Sequence, residues 1–152
     1  MISKSSIEQL VNTNIHNEKI YQQAFMHKSA SQETLESNER LEFIGDSVLG
    51  LVVTSYLYEK YPNENEGFLT RIRTKLVSGK ALSIIALKLE FEKYIIMNEK
   101  GMRNEWNKNP RLLEDSIEAF IGAIYLDLNL DVAKRFVMKH IIEVLNNDDL
   151  LE

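Results

Sequence analysis

Apolar side chains recur every three or four positions along most of this chain, which is the spacing of amphipathic α-helices. The longest run covers about residues 38–61 and is expected to end before Pro62, because proline cannot continue a helix. Shorter runs begin near Ile7 and Ile20. The pattern therefore predicts an all-α fold, with further helices over about residues 68–77, 80–87, 111–128 and 131–145.

Polar and irregular stretches predict how these helices are connected. Asn129 suits a helix C-cap and Asp131 suits an N-cap, so one helix should end and the next begin between them. No repeat, low-complexity tract or linker divides the chain, which predicts a single domain over residues 1–152. The other predicted connections are a polar loop at 31–37, a turn at 63–67, an extended or irregular piece at 95–96, a loop at 98–110 and a fraying acidic tail at 146–152.

Composition narrows the classes of function. The 152 residues include no cysteine, which excludes disulfides, thiolate metal sites and a cysteine nucleophile, and predicts a reducing, cytoplasmic compartment. Charged residues interrupt every apolar run, so we expect no membrane-spanning segment. With 18 basic against 23 acidic residues, the net charge of −5 would ordinarily argue against a nucleic acid partner.

The long predicted helix carries its acids on one face. At about 100° per residue, Glu39, Glu42 and Asp46 fall within an arc of about 60°, opposite the apolar face. An amphipathic helix with acids on its solvated side explains this pattern. However, like charges at these spacings destabilise a helix, and Gly50 on the same face suggests that something approaches closely there.

A second predicted helix repeats this arrangement with Asp115, Glu118 and Gly122 on one side. Clustered carboxylates from two helices could hold hard divalent cations, and oxygen ligands favour Mg²⁺ or Mn²⁺ over zinc or copper. Two such ions would suit the hydrolysis of a phosphodiester. Periodicity alone leaves both a metal site and a solvated surface open.

Four motifs resemble the ribonuclease III family. Residues 38–49, NERLEFIGDSVL, are similar to the family signature NERLEFLGDAVL. Residues 24–29, AFMHKS, resemble ALTHRS, and residues 67–78, GFLTRIRTKLVS, resemble GxLTxLRxxLVS. Residues 113–127, LEDSIEAFIGAIYLD, resemble LADxxEAxIGAIYLD. The motifs keep the family's order and extend over most of residues 20–145, so the resemblance spans a whole catalytic domain.

This resemblance implies an all-α endonuclease domain that acts as a homodimer on double-stranded RNA. By position, the family's metal-binding and catalytic acids correspond to Glu42, Asp46, Asp115 and Glu118, and the chemistry depends most on Asp46 and Glu118. Glu39 corresponds to a further acid with a less direct role. The implied cofactor is Mg²⁺, with Mn²⁺ as a substitute.

Further positions match or depart from the family pattern. Phe43 corresponds to the aromatic residue that inserts into the partner subunit at the dimer interface. Glu114 stands where alanine is common, beside Asp115, and Gly79 replaces a frequent asparagine. Trp106 matches no family position, and we expect it to pack over its loop.

The function implied is that of a divalent-metal-dependent endoribonuclease. Four acids would hold two Mg²⁺, water activated by the metal would attack phosphorus, and the 3′ oxygen would leave. The products would carry 5′-phosphate and 3′-hydroxyl ends with short 3′ overhangs. The alternative is a non-cleaving duplex-RNA-binding or ribosome-associated relative, which would be expected to have lost some of these acids. Di-iron bundles fit worse because they need Glu-x-x-His pairs, which this sequence lacks.

Basic residues are candidates for contacting the RNA backbone. Arg71, Arg73 and Lys75 form a cluster, and Arg40 is a separate positive position. Such residues position a duplex without reading its sequence, although a solvated helix surface explains them equally. His27 has no acid or metal-ligand partner at helical spacing, which predicts a structural, hydrogen-bonded histidine.

The charge balance changes once the predicted site is considered. Without Glu39, Glu42, Asp46, Asp115 and Glu118, the remaining 18 acids equal the 18 basic residues. Bound Mg²⁺ would reverse the local sign where phosphate must lie. The lack of a basic excess still predicts weak, salt-sensitive RNA binding by this chain alone. No double-stranded-RNA-binding domain is expected after position 145, so this chain is expected to be a minimal enzyme, part of a longer protein, or a chain whose RNA affinity comes from a separate RNA-binding partner protein.

Overall fold

The computed structural model describes residues 1–30 and 36–147 and confirms the predicted all-α class. The described residues include no strand, only a single parallel bridge between Met26 and Ile96. Short 3₁₀ turns and one π turn, Met138–Ile142, join or continue the helices. The helices are α1 Lys4–Val11, α2 Glu18–Gln23, α3 Glu39–Lys60, α4 Glu66–Leu76, α5 Gly79–Lys88, α6 Glu99–Arg103, α7 Pro110–Asp127, α8 Leu130–Val137 and α9 Glu143–Asn147.

Helices α3 and α7 pack against each other at the centre, and two glycines allow their backbones to touch. A Cβ atom on Gly45 would overlap the carbonyl oxygen of Glu118 and lie 2.6 Å from its carbonyl carbon. A Cβ atom on Gly122 would likewise overlap the carbonyl oxygen of Leu41. Because neither obstacle is a movable side chain, the crossing requires glycine at both positions.

Aromatic side chains gather the other elements around α7. The ring of Phe120 lies 5.6 Å from Tyr21 and 5.8 Å from Phe25, measured between ring centroids. It lies 5.3 Å from both Phe91 and Phe136. All five side chains are almost fully buried, so α7 runs through the middle of the core and holds its neighbours in fixed positions.

Asparagine and serine side chains start several of the helices. Ser78 accepts a hydrogen bond from the N–H of Ala81 at the start of α5, and Asn109 accepts one from Arg111 at the start of α7. Pro110 occupies the first position of α7, where its missing N–H costs nothing. These caps fix the residues at which α5 and α7 begin.

Local capping also corrects three sequence predictions. Asn129 is the N-cap of α8 and accepts a hydrogen bond from Val132, so it is not a C-cap, and Asp131 lies within the first helical turn. The predicted loop at 98–110 contains α6, because the side chain of Asn98 caps it.

Two other boundaries differ as well. Helix α4 begins at Glu66, inside the predicted turn, and the predicted helix at 131–145 begins at Leu130 and includes the π turn before α9. Most of the predicted loop at 31–37 and of the predicted tail at 146–152 lies outside the described residues. The single domain over residues 1–152 stays a prediction.

Helix α3 bears on one further expectation. Among the described helices, it alone is long and apolar enough, by length and composition, to cross a membrane. No such segment was expected because charged residues interrupt the apolar runs, but in α3 they are confined to its first eight and last two positions. Seven α3 residues are buried in the core, and Glu42 faces a cavity that α3 shares with α7. Helix α3 is therefore the central packed helix of this fold.

Candidate metal centre

Carboxylates from α3 and α7 converge where the two helices cross. One carboxylate oxygen from each of Glu42, Asp115 and Glu118 can be chosen so that all three lie within 4.8 Å of one another. Asp46, one turn further along α3, forms a side-chain hydrogen bond with Glu118. The four acids therefore form two interacting pairs, Glu42 with Asp115 and Asp46 with Glu118.

The helix crossing explains why these particular acids meet. Residues three or four apart lie on one face of a helix, so each helix presents its two acids toward the other. Gly45 lies between Glu42 and Asp46, and its backbone touches the carbonyl group of Glu118. The glycine contact thus brings both α3 acids close to the α7 acids.

Burial and like charges raise the pKa values of the cluster. The pKa of Glu118, which is only 7% exposed, is raised to about 9 by burial first and then by its hydrogen bond and repulsion with Asp46. The pKa of Glu42 is raised to about 7 by burial and by the charge of Asp115. The pKa of Asp115 is also raised, mainly by burial. The acids cannot all ionise at neutral pH without a compensating cation.

Three of these acids, Glu42, Asp115 and Glu118, line a cavity of about 630 Å³ between α3, α5 and α7. The N-terminal ends of α5 and α7 both reach this cavity, and each contributes a basic residue, Lys80 and Arg111. The charge of Arg111 lowers the pKa values of Glu42 and Asp115 and so opposes the effect of burial. The remaining lining residues are Gly79, Ser83, Pro110 and Glu114.

These residues fit a hard divalent cation. All candidate ligands are carboxylate oxygens, which suit Mg²⁺ or Mn²⁺. The crowding that raises the pKa values of Glu42 and Glu118 would be relieved by positive charge among them. The arrangement can therefore bind cations and present them to a ligand in the adjoining cavity.

Comparison with known proteins identifies the family. A model of the family described as ribonuclease-III-like matches residues 17–145. This chain belongs to the ribonuclease-III-like family. The match includes both acid-bearing helices and the glycines at their crossing, and it confirms the family resemblance found in the sequence.

Relatives and solved structures agree with this family. A protein of Paramecium bursaria Chlorella virus 1 is 44% identical over 151 residues, covering 99% of this chain and 54% of that protein. Ribonuclease 3 of Leptospira interrogans is 44% identical over 133 residues, covering 85% and 53%. The chain thus spans about half the length of these curated relatives. A crystal structure of the nuclease domain of ribonuclease III from Campylobacter jejuni superposes with a TM-score of 0.87 at 34% identity, covering 95% of this chain and 97% of that one.

Glu39 lies beside the carboxylate cluster of this ribonuclease-III-like domain, not within it. Its side chain is exposed at the first position of α3 and accepts a hydrogen bond from Ser37, with an Oγ–Oε1 distance of 3.4 Å. Its charge nevertheless contributes to the raised pKa values of Glu42 and Asp115. This placement is consistent with a supporting position.

Phe43 projects into solvent next to the acids. It is 80% exposed, and it borders an apolar groove of about 610 Å³ that also includes Ile44 and Leu126. A large exposed aromatic side chain beside an apolar groove is typical of an interaction surface. Arg40 lines the same groove, so the structure places it with Phe43 and not among the residues that line the acidic cavity.

The predicted basic cluster lies elsewhere. Arg71, Arg73 and Lys75 are exposed on α4, and among the described residues that line the acidic cavity none belongs to α4. The guanidinium of Arg71 lies over the ring of Phe68 at 5.6 Å, and Arg73 Nη1 donates to Thr54 Oγ1 at 3.3 Å. Contact of these residues with RNA stays a prediction.

The basic residues that do line the cavity, Lys80 and Arg111, were not among those predicted from the sequence. The signal that could have found them is helix capping. Ser78 and the Asn109–Pro110 pair mark two helix starts. Lys80 and Arg111 follow in the first turns of these two helices. Their positions relative to the acids, however, depend on how α5 packs against α7.

Three other predictions can be compared with the structure. Among the described residues, no atom lies within 4 Å of a Cβ built on Gly50, so the close contact within the chain occurs at Gly45, and the approach of another molecule to Gly50 stays a prediction. His27 is hydrogen-bonded, as predicted, because its Nδ1 pairs with Ser29 at Oγ and at the backbone N–H. Trp106 is partly buried and packs against the core, also as predicted.

Proposed function

We propose that this chain is a divalent-metal-dependent endoribonuclease that cleaves double-stranded RNA. The observation that carries the proposal is the convergence of Glu42, Asp115 and Glu118 in the lining of one cavity, in a family that includes proteins named Ribonuclease 3. We propose Mg²⁺ as the cofactor, with Mn²⁺ as a substitute, because the ligands are all carboxylate oxygens.

The roles of this chain's residues follow from their positions. Glu42, Asp46, Asp115 and Glu118 would hold the metal, which when bound supplies positive charge to the phosphate and activates water. Glu42 and Glu118 must release the protons that their raised pKa values retain, so metal binding is coupled to proton release. Arg111 would attract the phosphate backbone at the cavity.

We further propose that two copies associate through the surface around Phe43. Its 80% exposure and the adjoining apolar groove with Leu126 support a two-fold contact between copies. A second solved structure of the Campylobacter jejuni nuclease domain is described by the flexibility of a region involved in dimer formation. Two sites in such a dimer would cut both strands in a staggered manner, giving 5′-phosphate and 3′-hydroxyl ends with short 3′ overhangs. Action in the cytoplasm, and a separate protein that adds RNA affinity, complete the proposal.

A cleavage assay on perfectly paired RNA tests this function. Wild-type protein with Mg²⁺ should shorten the duplex, whereas Glu118→Gln should reduce the rate by at least about 100-fold, because Glu118 belongs to the three-acid cluster and also pairs with Asp46. Glu59→Gln, which changes an exposed acid near the far end of α3, is the matched control and should cut normally. Equal cleavage by wild type and Glu118→Gln would refute the proposal. Duplex binding without cleavage by the wild type would favour the non-cleaving alternative.

A further inference from the structure

Glu114 brings an additional carboxylate into the acidic cavity. Its Oε2 lies 2.6 Å and its Cδ 3.3 Å from the position that a Cβ atom would occupy on Gly79. Any side chain at position 79 would therefore compete with the Glu114 carboxylate for the same space. Gly79 is the first residue of α5, so its lack of a side chain lets Glu114 lie against the start of that helix, facing the cavity.

The Glu114 carboxylate has no partner that explains this position. In the described part of the chain it accepts no hydrogen bond and joins no ion pair. It is partly buried, and the charges of Asp115 and Asp46 both act on it unfavourably. Arg111 compensates in part without forming a direct ion pair. A partly buried carboxylate without a partner costs free energy unless something binds it.

We infer that Glu114 is a further metal-binding residue of this centre, on the side of the cavity nearest α5, and that Gly79 is the positioning residue that leaves room for it. The inference rests on the proposed metal-dependent function. Glu114 lines the same cavity as Glu42, Asp115 and Glu118. Mg²⁺ and Mn²⁺ commonly retain water ligands, so the carboxylate can contribute directly or through such a water.

Isothermal titration calorimetry of the metal-free protein with Mn²⁺ tests this inference without measuring cleavage. Glu114→Gln preserves the shape of the side chain and should weaken Mn²⁺ binding about tenfold, as loss of an outer carboxylate typically does. Gly79→Ala should weaken it similarly, because the new methyl group would push the flexible Glu114 side chain aside. The double variant should bind no more weakly than either single variant. Glu59→Gln is again the matched control and should bind Mn²⁺ like the wild type.

Each outcome has a defined meaning. Unchanged Mn²⁺ affinity in Glu114→Gln would overturn the role of Glu114. Unchanged affinity in Gly79→Ala, or single effects that multiply in the double variant, would overturn the role of Gly79. If wild-type protein binds Mn²⁺ but cuts no RNA, the proposed nuclease function fails while the affinities still judge this inference. If it binds no Mn²⁺, both fail.

Discussion

The contact between α3 and α7 predicts very different outcomes for two glycines of the same helix. Gly45→Ala would place a methyl group against the backbone of Glu118, which no rotamer change can remove. Gly50→Ala would place the same group in open space five residues further along α3. Both substitutions add one methyl group to a glycine of α3, so they differ only in which atoms that methyl group contacts.

The expected magnitudes follow from the distances. The Cβ atom added by Gly45→Ala would overlap the carbonyl oxygen of Glu118 and lie 2.6 Å from its carbonyl carbon, whereas carbon atoms need about 3.5 Å, so α3 and α7 must separate by at least about 1 Å. Overpacking of this kind costs about 1–3 kcal/mol, and the rigid obstacle favours the upper end. Gly50→Ala should instead stabilise α3 by up to about 1 kcal/mol, because alanine favours helix.

The same separation should weaken the metal centre. Since Glu42 and Asp46 move with α3 while Asp115 and Glu118 move with α7, their oxygen atoms would part by a similar distance. A displacement of about 1 Å at a reacting centre can lower a rate about 100-fold.

Urea titration measures the free energy of unfolding of both variants, and Mn²⁺ titration measures the affinity of the site, which depends on how closely its carboxylates converge. We expect Gly45→Ala to lose both stability and Mn²⁺ affinity and Gly50→Ala to retain both. If Gly45→Ala proved as stable as Gly50→Ala and bound Mn²⁺ equally well, the backbone contact between α3 and α7 would not be what positions the acids.

Three further predictions concern charge and association. In EDTA, the free energy of unfolding should fall as pH rises from about 5 to 9. The raised pKa values of Glu42 and Glu118 make the folded protein bind more protons than the unfolded chain over this range. Thermal melts should show a weaker pH dependence for Glu118→Gln than for the wild type. Phe43→Ala should shift sedimentation from dimer toward monomer, whereas Tyr58→Ala, which removes another exposed aromatic of α3, should not. Arg111→Ala should raise KM for duplex RNA and reduce the magnitude of the slope of log RNA affinity against log salt concentration by about one. Arg103→Ala, an exposed position on α6, is the control and should change neither value. Equal slopes for the wild type and both variants would contradict a phosphate contact by Arg111.

The acid-bearing faces could be predicted from sequence because helical periodicity fixes the direction of each side chain. Residues 42 and 46, and likewise 115 and 118, must share a face on any helix that contains them. The sequence could not show which glycine lies at the crossing, because that depends on the axial position of one helix along the other. Gly50 satisfied the same periodic pattern as the acids but lies beyond the contact, while Gly45 meets α7.

Local capping explains other differences between prediction and structure. Residues 98–110 contain glycine, proline and four asparagines, which individually suggest a loop. Asn98 instead caps α6 and Asn109 caps α7, so two of these asparagines start helices. The basic residue Arg111 then falls in the first turn of α7 beside the acids. Its role could not be read from charge clustering, which highlighted α4 instead.

Without a metal, the carboxylates of this cluster repel one another, so a bound cation would both displace their protons and stabilise the folded protein. The α3–α7 contact brings Glu42 and Glu118 into surroundings where burial and neighbouring acids raise their pKa values and favour their protonated forms. A divalent cation must displace those protons, so its affinity should increase with pH while the stability of the metal-free protein decreases. The stabilisation gained from Mg²⁺ should therefore be largest at alkaline pH, where the empty cluster carries most negative charge. Cations bound at this cluster would offset its negative charge, so the net charge of −5 does not by itself argue against an RNA partner.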